Sequence, residues 1–402
     1  APGRPWPLRR PLVKISAERL EEFVRAELTV FARRARHPLQ PLQLLEIVRA
    51  SSSPAKVARL AHEELPVRFA RRIKHIERVE GWDSIPELVE LHQMHVKSFR
   101  ELRLADPANL HDYPDVIFRI RQRHKVIARL FAEAVKRIDE VLIREPRIGE
   151  LAEQEDGESQ LDRQAVEYWA ETFLRSRVST EMLMSHYVAC IGASQNGSGG
   201  PGNTKVGIID TECDPWDICQ QAIAKIHDGP WPCVIQSENP SGRVSFCHAP
   251  RYLFYIMVEL LKNSARATAE AARDREGYAA RPIRVALCAD DHQVLIRISD
   301  RGGGMPASRA EQMWSYTYTT SLPAADDAPP ARSAVEPELQ VTAGGRPWGV
   351  FAGESPISGR GIGLPLSRLY AMYLGGSLQI INMPGLGVDS YLILNRIDPQ
   401  PA

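Results

Sequence analysis

The sequence predicts an α+β chain of two domains, an N-terminal helical bundle followed by an α/β sandwich. Three observations carry this expectation. Residues 16–187 place apolar side chains at helical spacing, with few β-branched alternations. The stretch 191–204 is rich in Gly and Ser and reads as a flexible linker. Beyond it, short β-branched runs alternate with helical ones. The expected organisation is 1–15 as a basic N-terminus, 16–190 as the bundle, 191–204 as the linker and 205–398 as the sandwich.

Before Glu18 the chain carries Arg4, Arg9, Arg10 and Lys14 and no acid. That bias suits the remnant of a mitochondrial presequence, and equally a solvated terminus. Ser16 is a plausible N-cap for the first helix. Further helices are expected at 42–50, at 55–63, from Leu65 onward with Pro66 in the first turn, and over 85–102 and 112–140. The acidic stretch 144–163 reads as an exposed loop before a last helix, 164–187. The basic run Arg119 to Lys125, and Arg175, Arg177 and His186, read as the wet faces of their helices or as anion contacts.

In the second half, 206–209 and 243–247 read as strands around a helix at 215–227. Residues 252–272 have helical spacing and no internal Gly or Pro. Two alternating runs, 284–288 and 294–299, flank a hairpin turn at Asp290 and Asp291. A helix at 366–373, closed by Gly375 and Gly376, precedes strands at 377–381 and 389–394.

Composition limits the functions available. Lys and Arg total 50 and Asp and Glu total 50 in 402 residues, so no global field favours nucleic acid or an anionic membrane. No run approaches the roughly 18 apolar residues of a membrane helix. The six cysteines show no metal-ligand spacing, which favours free thiols in a reducing compartment and no structural zinc.

The candidate chemistry centres on 259–266. Glu259 and Asn263 are four apart on one helix face, with Cβ atoms about 6 Å apart, and Arg266 follows on that face. A carboxylate, an amide oxygen and a guanidinium in one row can orient a hydroxyl, hold Mg²⁺ and meet phosphate. Asp300 leaves a strand on a glycine turn, where it can accept an adenine amino group, and Gly302 and Gly304 let backbone approach the base. Gly359, Gly361 and Gly363 open a helix, whose N-terminus suits phosphate oxygens. Between the glycine loops, 321–358 is rich in Pro, Ala and Gly and reads as a lid over the nucleotide. Thr319 and Thr320 before it offer hydroxyls to phosphate, or simply end a strand.

An Asn-bearing helix, an Asp on a glycine turn and a later G-x-G-x-G, in that order, resemble the ATP-binding fold shared by gyrase-type ATPases, Hsp90 chaperones, histidine kinases and MutL proteins. The resemblance extends over nearly the whole chain. The motifs at 64–68, 121–124, 176–179, 259–268, 299–304, 316–320 and 363–370 stand in the order of the mitochondrial 2-oxo acid dehydrogenase kinases, the pyruvate and branched-chain members. That resemblance implies an ATP- and Mg²⁺-dependent serine kinase of the mitochondrial matrix. It would phosphorylate and inactivate the dehydrogenase component of its complex, dock on the lipoyl-bearing core, and form a homodimer. Carried over, Glu259 is the general base and Asn263 the Mg²⁺ ligand. Arg266, Asp300, Thr319, Thr320, Gly359, Arg360, Gly361, Ile362, Gly363 and Leu364 are nucleotide contacts. His124 and Arg177 line a small-acid regulatory pocket.

The chain departs from the pattern in places. Tyr255 stands where the pyruvate members carry His, which resembles the branched-chain kinase. Glu181 replaces a usual Arg near the regulatory helix, and Val388 a usual Thr. The last residues lack the Asp-Trp segment of the pyruvate kinases. Two other functions share parts of the pattern: a histidine kinase, for which His186 is the best-placed acceptor, and a gyrase- or MutL-like ATPase in which Glu259 would activate water.

Overall fold

The computed structural model describes residues 16–33, 53–144, 155–195, 204–272, 277, 279–316 and 362–396. Helices come first and a mixed sheet second, the α+β order expected from the sequence. The helix expected at 42–50, Thr319, Thr320, the 321–358 stretch, Gly359, Arg360 and Gly361 lie outside the described residues.

The bundle is built from α1 (Ala17–Arg33), α2 (Pro54–Ile76), α3 (Pro86–Leu104), α4 (Tyr113–Arg123), α5 (Ile127–Arg144) and α6 (Glu155–Gln195). Helix α2 packs against α1, α3 and α6. It corrects the reading of two helices around Pro66, which lies inside one continuous helix. Proline removes a hydrogen bond there and costs about 3 kcal/mol. Burial offsets the cost, because Leu65, Val67, Phe69, Ala70 and Ile73 are all inaccessible or nearly so. The helix expected over 112–140 divides instead into α4 and α5 at a 3₁₀ turn, His124–Val126, whose His124 is buried. The acidic stretch read as a loop already enters α6 at Glu155, where acids are favoured by the positive helix terminus. Helix α6 also continues to Gln195, past the expected end at 187 and into the Gly/Ser stretch.

The second half contains β1 (Lys205–Val206), β2 (Ile209–Cys213), α7 (Pro215–His227), β3 (Ile235–Glu238), β4 (Phe246–His248), α8 (Pro250–Ala271), β5 (Ile283–Ala289), β6 (Gln293–Ser299), a short α9 (Ala307–Ala310), α10 (Gly363–Tyr373), β7 (Ser377–Met383) and β8 (Gly387–Asn395). Strands β1, β2 and β4 form a small antiparallel sheet. The main sheet has the order β3-β5-β6-β8-β7, with only β3 and β5 parallel. A parallel pair needs a crossover, and α8 lies in it. Strand β3 escaped the sequence reading because it is four residues long and mostly exposed.

Alternation sets the buried face. Ile283, Val285 and Leu287 of β5 and Val294, Ile296 and Ile298 of β6 point inward, where α8 covers the sheet. Helix α8 is flanked by α7 and α10. One hydrophobic cluster joins both halves, running from Phe131, Trp169 and Phe173 of the bundle to Leu253, Ile296 and Leu392. Phe173 stacks on Phe131 at 5.2 Å and on Trp169 at 5.5 Å, and is fully buried. Phe173→Ala is expected to destabilise the chain by about 3–5 kcal/mol, read as a lower urea midpoint.

Candidate functional site

Helix α8 brings the sequence motifs together. Proline at its first turn starts it, and no Gly or Pro interrupts the path to Ala271. Glu259 sits mid-helix, 6% exposed, while Asn263, one turn on, is exposed. Lys262 Nζ lies 3.3 Å from Glu259 Oε1, so a cation stands beside the buried carboxylate. Arg266 follows, its Nε 3.7 Å from Glu270 Oε1. Lys262, between the residues singled out from spacing, was not named from sequence.

Both glycine segments close on this helix. Gly363, the first residue of α10, lies so near Glu259 that a Cβ there would overlap the carboxylate. Ile362 before it is fully buried and Leu364 after it partly so. The helix extends three residues earlier than expected, starting at Gly363, and Ser367 Oγ donates to the Gly363 carbonyl at 2.8 Å. A Cβ on Gly302 would lie 2.6 Å from the Ala267 methyl, two turns further along α8. The Asp300 turn and the start of α10 thus bracket one helix face.

Asp300 directly follows β6 and is 5% exposed. Its Oδ1 accepts the N–H groups of Gly302 at 3.0 Å and Val388 at 3.2 Å. Its Oδ2 accepts the hydroxyl of Ser264 on α8 at 2.9 Å. Burial pushes the carboxyl above the ordinary range; these donors oppose the push, and Asp389 adds to it. Around it, Gly303 N–H donates to the Leu386 carbonyl at 3.2 Å and Gly385 N–H to the Gly303 carbonyl at 2.8 Å. The Asn382 side chain grips Met305 twice, accepting its N–H and donating to its carbonyl, each at 2.7 Å. The loop is therefore stitched to the β7–β8 hairpin. Gly302 was expected at the site from its glycine turn; of the other partners, only Ser264 carried a visible signal, its place beside Asn263 on α8.

The arrangement fits a purine nucleotide. A buried carboxylate can take an amino hydrogen, small residues line the approach, and a helix N-terminus lies beside Glu259. No group of three or more His, Cys, Asp or Glu suited to a metal occurs among the described residues. Mg²⁺ held mostly by phosphates and water needs no such cage, and the exposed Asn263 oxygen can complete its shell.

His124 and Arg177 fall elsewhere. His124, 5% exposed, has Nε2 3.0 Å from Ser98 Oγ. Burial, then His95, Arg72, Arg177 and Arg123, hold its imidazole well below the ordinary range and therefore neutral. Arg177 on α6 reaches the Tyr370 hydroxyl of α10. Between them lies Arg72, which sequence reading passed over. It is 1% exposed and donates to His95 at 2.9 Å, Ser176 at 3.0 Å and Thr180 at 2.9 Å, all neutral partners. Burial, Arg177 and Arg68 together lower it to about 9. An adjacent cavity of about 390 Å³ is lined by Arg68, Arg72, Ser176, Ser179 and Tyr373, but by neither His124 nor Arg177. Glu181, the departure noted in the sequence, meets Arg121 at 3.1 Å. Burial alone would raise its carboxyl, yet Arg121, Arg251 and Arg177 hold it low and ionised.

Comparison with known proteins agrees with this architecture. Residues 248–396 match the family described as histidine kinase-, DNA gyrase B- and HSP90-like ATPase. Residues 38–210 match the family described as mitochondrial branched-chain alpha-ketoacid dehydrogenase kinase. The chain is 28% identical to a mitochondrial pyruvate dehydrogenase (acetyl-transferring) kinase of Arabidopsis thaliana, covering 85% of this chain and 84% of the relative. It is 26% identical to the isozyme 4 kinase of Ictidomys tridecemlineatus, covering 93% and 84%. With the isozyme 1 kinase of Mus musculus the identity is 25%, over 84% and 72%. The two family matches and these relatives support the mitochondrial 2-oxo acid dehydrogenase kinase family, with a nucleotide domain of the histidine kinase, gyrase and Hsp90 type.

Two substitutions test the site. Asp300→Asn removes the charge but keeps an acceptor, and should weaken ATP binding by roughly tenfold to a hundredfold in calorimetry. Gly387→Ala should be as damaging without removing a polar group. A Cβ there overlaps the Asp300 carbonyl, so the loop must move, and nucleotide-dependent thermal stabilisation should be lost.

Proposed function

We propose that this kinase transfers the γ-phosphoryl group of ATP to a serine of the dehydrogenase component of a mitochondrial 2-oxo acid dehydrogenase complex, and so inactivates it. The observation that carries the reading is the contact of Gly363 with the buried Glu259 carboxylate, which sets a base at the helix end suited to phosphate. In this reading Asp300, with Gly302 and Gly304 beside it, receives the adenine. Asn263, Arg266, Ile362, Gly363 and Leu364 surround the phosphates, with Thr319, Thr320, Gly359, Arg360 and Gly361 added from sequence. Mg²⁺ would supply charge neutralisation at the phosphates, held by Asn263.

Glu259 takes the proton from the incoming serine hydroxyl as the oxygen attacks phosphorus. Lys262, 3.3 Å from that carboxylate, holds positive charge beside the reacting groups. The remaining contribution is positioning, which dominates phosphoryl transfer.

The relatives' names favour the pyruvate dehydrogenase complex as partner. Tyr255 and the family matching residues 38–210 favour the branched-chain complex as the second reading. The mitochondrial names of the relatives support a mitochondrial location, and within it the matrix, where the lipoyl-bearing core would dock a homodimer of this chain. The bundle, 16–190, and the nucleotide domain, 205–398, joined by 191–204, are its two units, with 321–358 as the lid. His124 and Arg177 belong to a small-acid pocket in this reading. Arg72, buried without a carboxylate partner among the described residues, supports an anion there, whereas the ionised Glu181 opposes one.

A histidine kinase is disfavoured by His186. It is fully buried, accepts the Ile208 N–H at 3.4 Å and is lowered to about 4 by burial. Phosphorylation would require unpacking α6.

Glu259→Gln keeps size and packing but cannot accept a proton. ATP affinity should stay near normal while serine phosphorylation falls by at least about a hundredfold. Asn263→Ala should instead weaken Mg²⁺-ATP binding first. Near-normal phosphorylation by Glu259→Gln would show that the base lies elsewhere. Incubation with each purified dehydrogenase complex in turn should label the pyruvate enzyme; label on the branched-chain enzyme alone selects the second reading.

A further inference from the structure

Ser264 has no place in the chemistry above, yet its side chain touches the group that reads the base. It is 4% exposed on α8, and its hydroxyl donates to the Asp300 carboxylate. An ionised carboxylate offers about four lone-pair positions. On Asp300, Gly302 and Val388 occupy Oδ1, and Ser264 occupies one position on Oδ2. One acceptor position is left, and no hydrogen remains on the carboxylate to donate.

We propose that Ser264 is a specificity-determining residue of the nucleotide site: its hydroxyl keeps Asp300 a pure acceptor, so that the site takes a 6-amino purine and rejects a 6-keto purine. The inference rests on the assignment of Asp300 as the adenine acceptor. Adenine presents an amino hydrogen to that acceptor. Hypoxanthine presents a carbonyl oxygen, which the ionised carboxylate repels and a protonated one would welcome. Discrimination therefore depends on which form Asp300 holds.

The surroundings make that balance delicate. Burial favours the neutral form, and Asp389 on β8 pushes the same way. Helix α8 offers the Ser264 hydroxyl, and the turn and β8 offer the Gly302 and Val388 N–H groups. No cation ranks among the largest influences on Asp300. Of the three donors, two are backbone groups that no side-chain change removes. Ser264 is the adjustable one.

The sign follows directly. Amino-purine recognition is present above the Asp300 pKa and is lost as pH falls through it. Removing a hydrogen bond to the charged form raises that pKa, so the loss should begin at higher pH.

The test compares ATP and ITP binding by calorimetry across pH 5 to 8, using the full chain. ITP carries the keto group on an otherwise matching purine. Ser264→Ala should weaken ATP binding roughly five- to tenfold, shift the acidic loss of ATP affinity to higher pH, and shrink the preference for ATP over ITP. Ser264→Thr, which restores a hydroxyl, should recover both the preference and the pH limb. A merely structural role would weaken both nucleotides equally and leave the limb in place. That result, or a Ser264→Ala protein with wild-type preference, overturns the inference while Asp300→Asn still loses ATP. If Asp300→Asn binds ATP normally, the assignment of Asp300 fails and takes the inference with it. The wild-type protein gives an independent reading, since its own preference for ATP must shrink as pH falls.

Discussion

The nucleotide half depends on one buried charge. Asp300 is a carboxylate out of water, and an ionised carboxylate in that position either finds donors or takes up a proton. Its donors come from three places: its own turn, strand β8 and helix α8. Satisfying one side chain therefore fixes the depth of α8 over the sheet and the closeness of β8 to the turn. The Gly387 position, where no side chain fits against the Asp300 carbonyl, follows from the same approach. Once α8 is set, Glu259 faces the start of α10 without further adjustment.

The helical half handles charge differently. Arg72 is buried among neutral acceptors, and its charge is destabilised by burial and by two neighbouring arginines. The cost of such a group is large, and hydrogen bonds offset only part of it. Its helix, α2, and the long α6 also touch the nucleotide domain. Arg68 and Ser179 share a cavity lining with Tyr373 of α10, and Arg177 meets Tyr370. Glu167 of α6 accepts the Ser315 hydroxyl and, at 3.0 Å, the Tyr316 N–H. Trp314 in the same stretch lies under the Arg368 guanidinium of α10, 4.7 Å from its ring centre. These contacts join the bundle to α10, which begins at Gly363, and to the residues following the Asp300 turn.

Much of this was legible in the chain. Helix α8 announced itself by uninterrupted apolar spacing, and the β5–β6 hairpin by alternation on either side of Asp290. Carboxylate, amide and glycine motifs stood in an order that few folds share. What could not be read was burial and backbone partnership. Pro66 looked like a helix start because the local rule is sound; only packing against α1, α3 and α6 overrides it. His124 and Arg72 sit in charged runs that usually face water, and nothing in the spacing says that this run turns inward. The Val388 N–H, which helps hold Asp300, belongs to the backbone and leaves no trace in side-chain identity. Acidic residues at the start of α6 imitate a loop, although they suit a helix N-terminus equally well.

In the proposed reaction Glu259 acts as a base for a protein hydroxyl and not for water. The most direct measurement follows the γ-phosphoryl group itself. Protein, Mg²⁺ and γ-labelled ATP are mixed with purified dehydrogenase complex, and label is counted on serine and as free phosphate. Label accumulating on the dehydrogenase, with little phosphate released, is the predicted result. Steady release of free phosphate while the dehydrogenase stays unlabelled would contradict it.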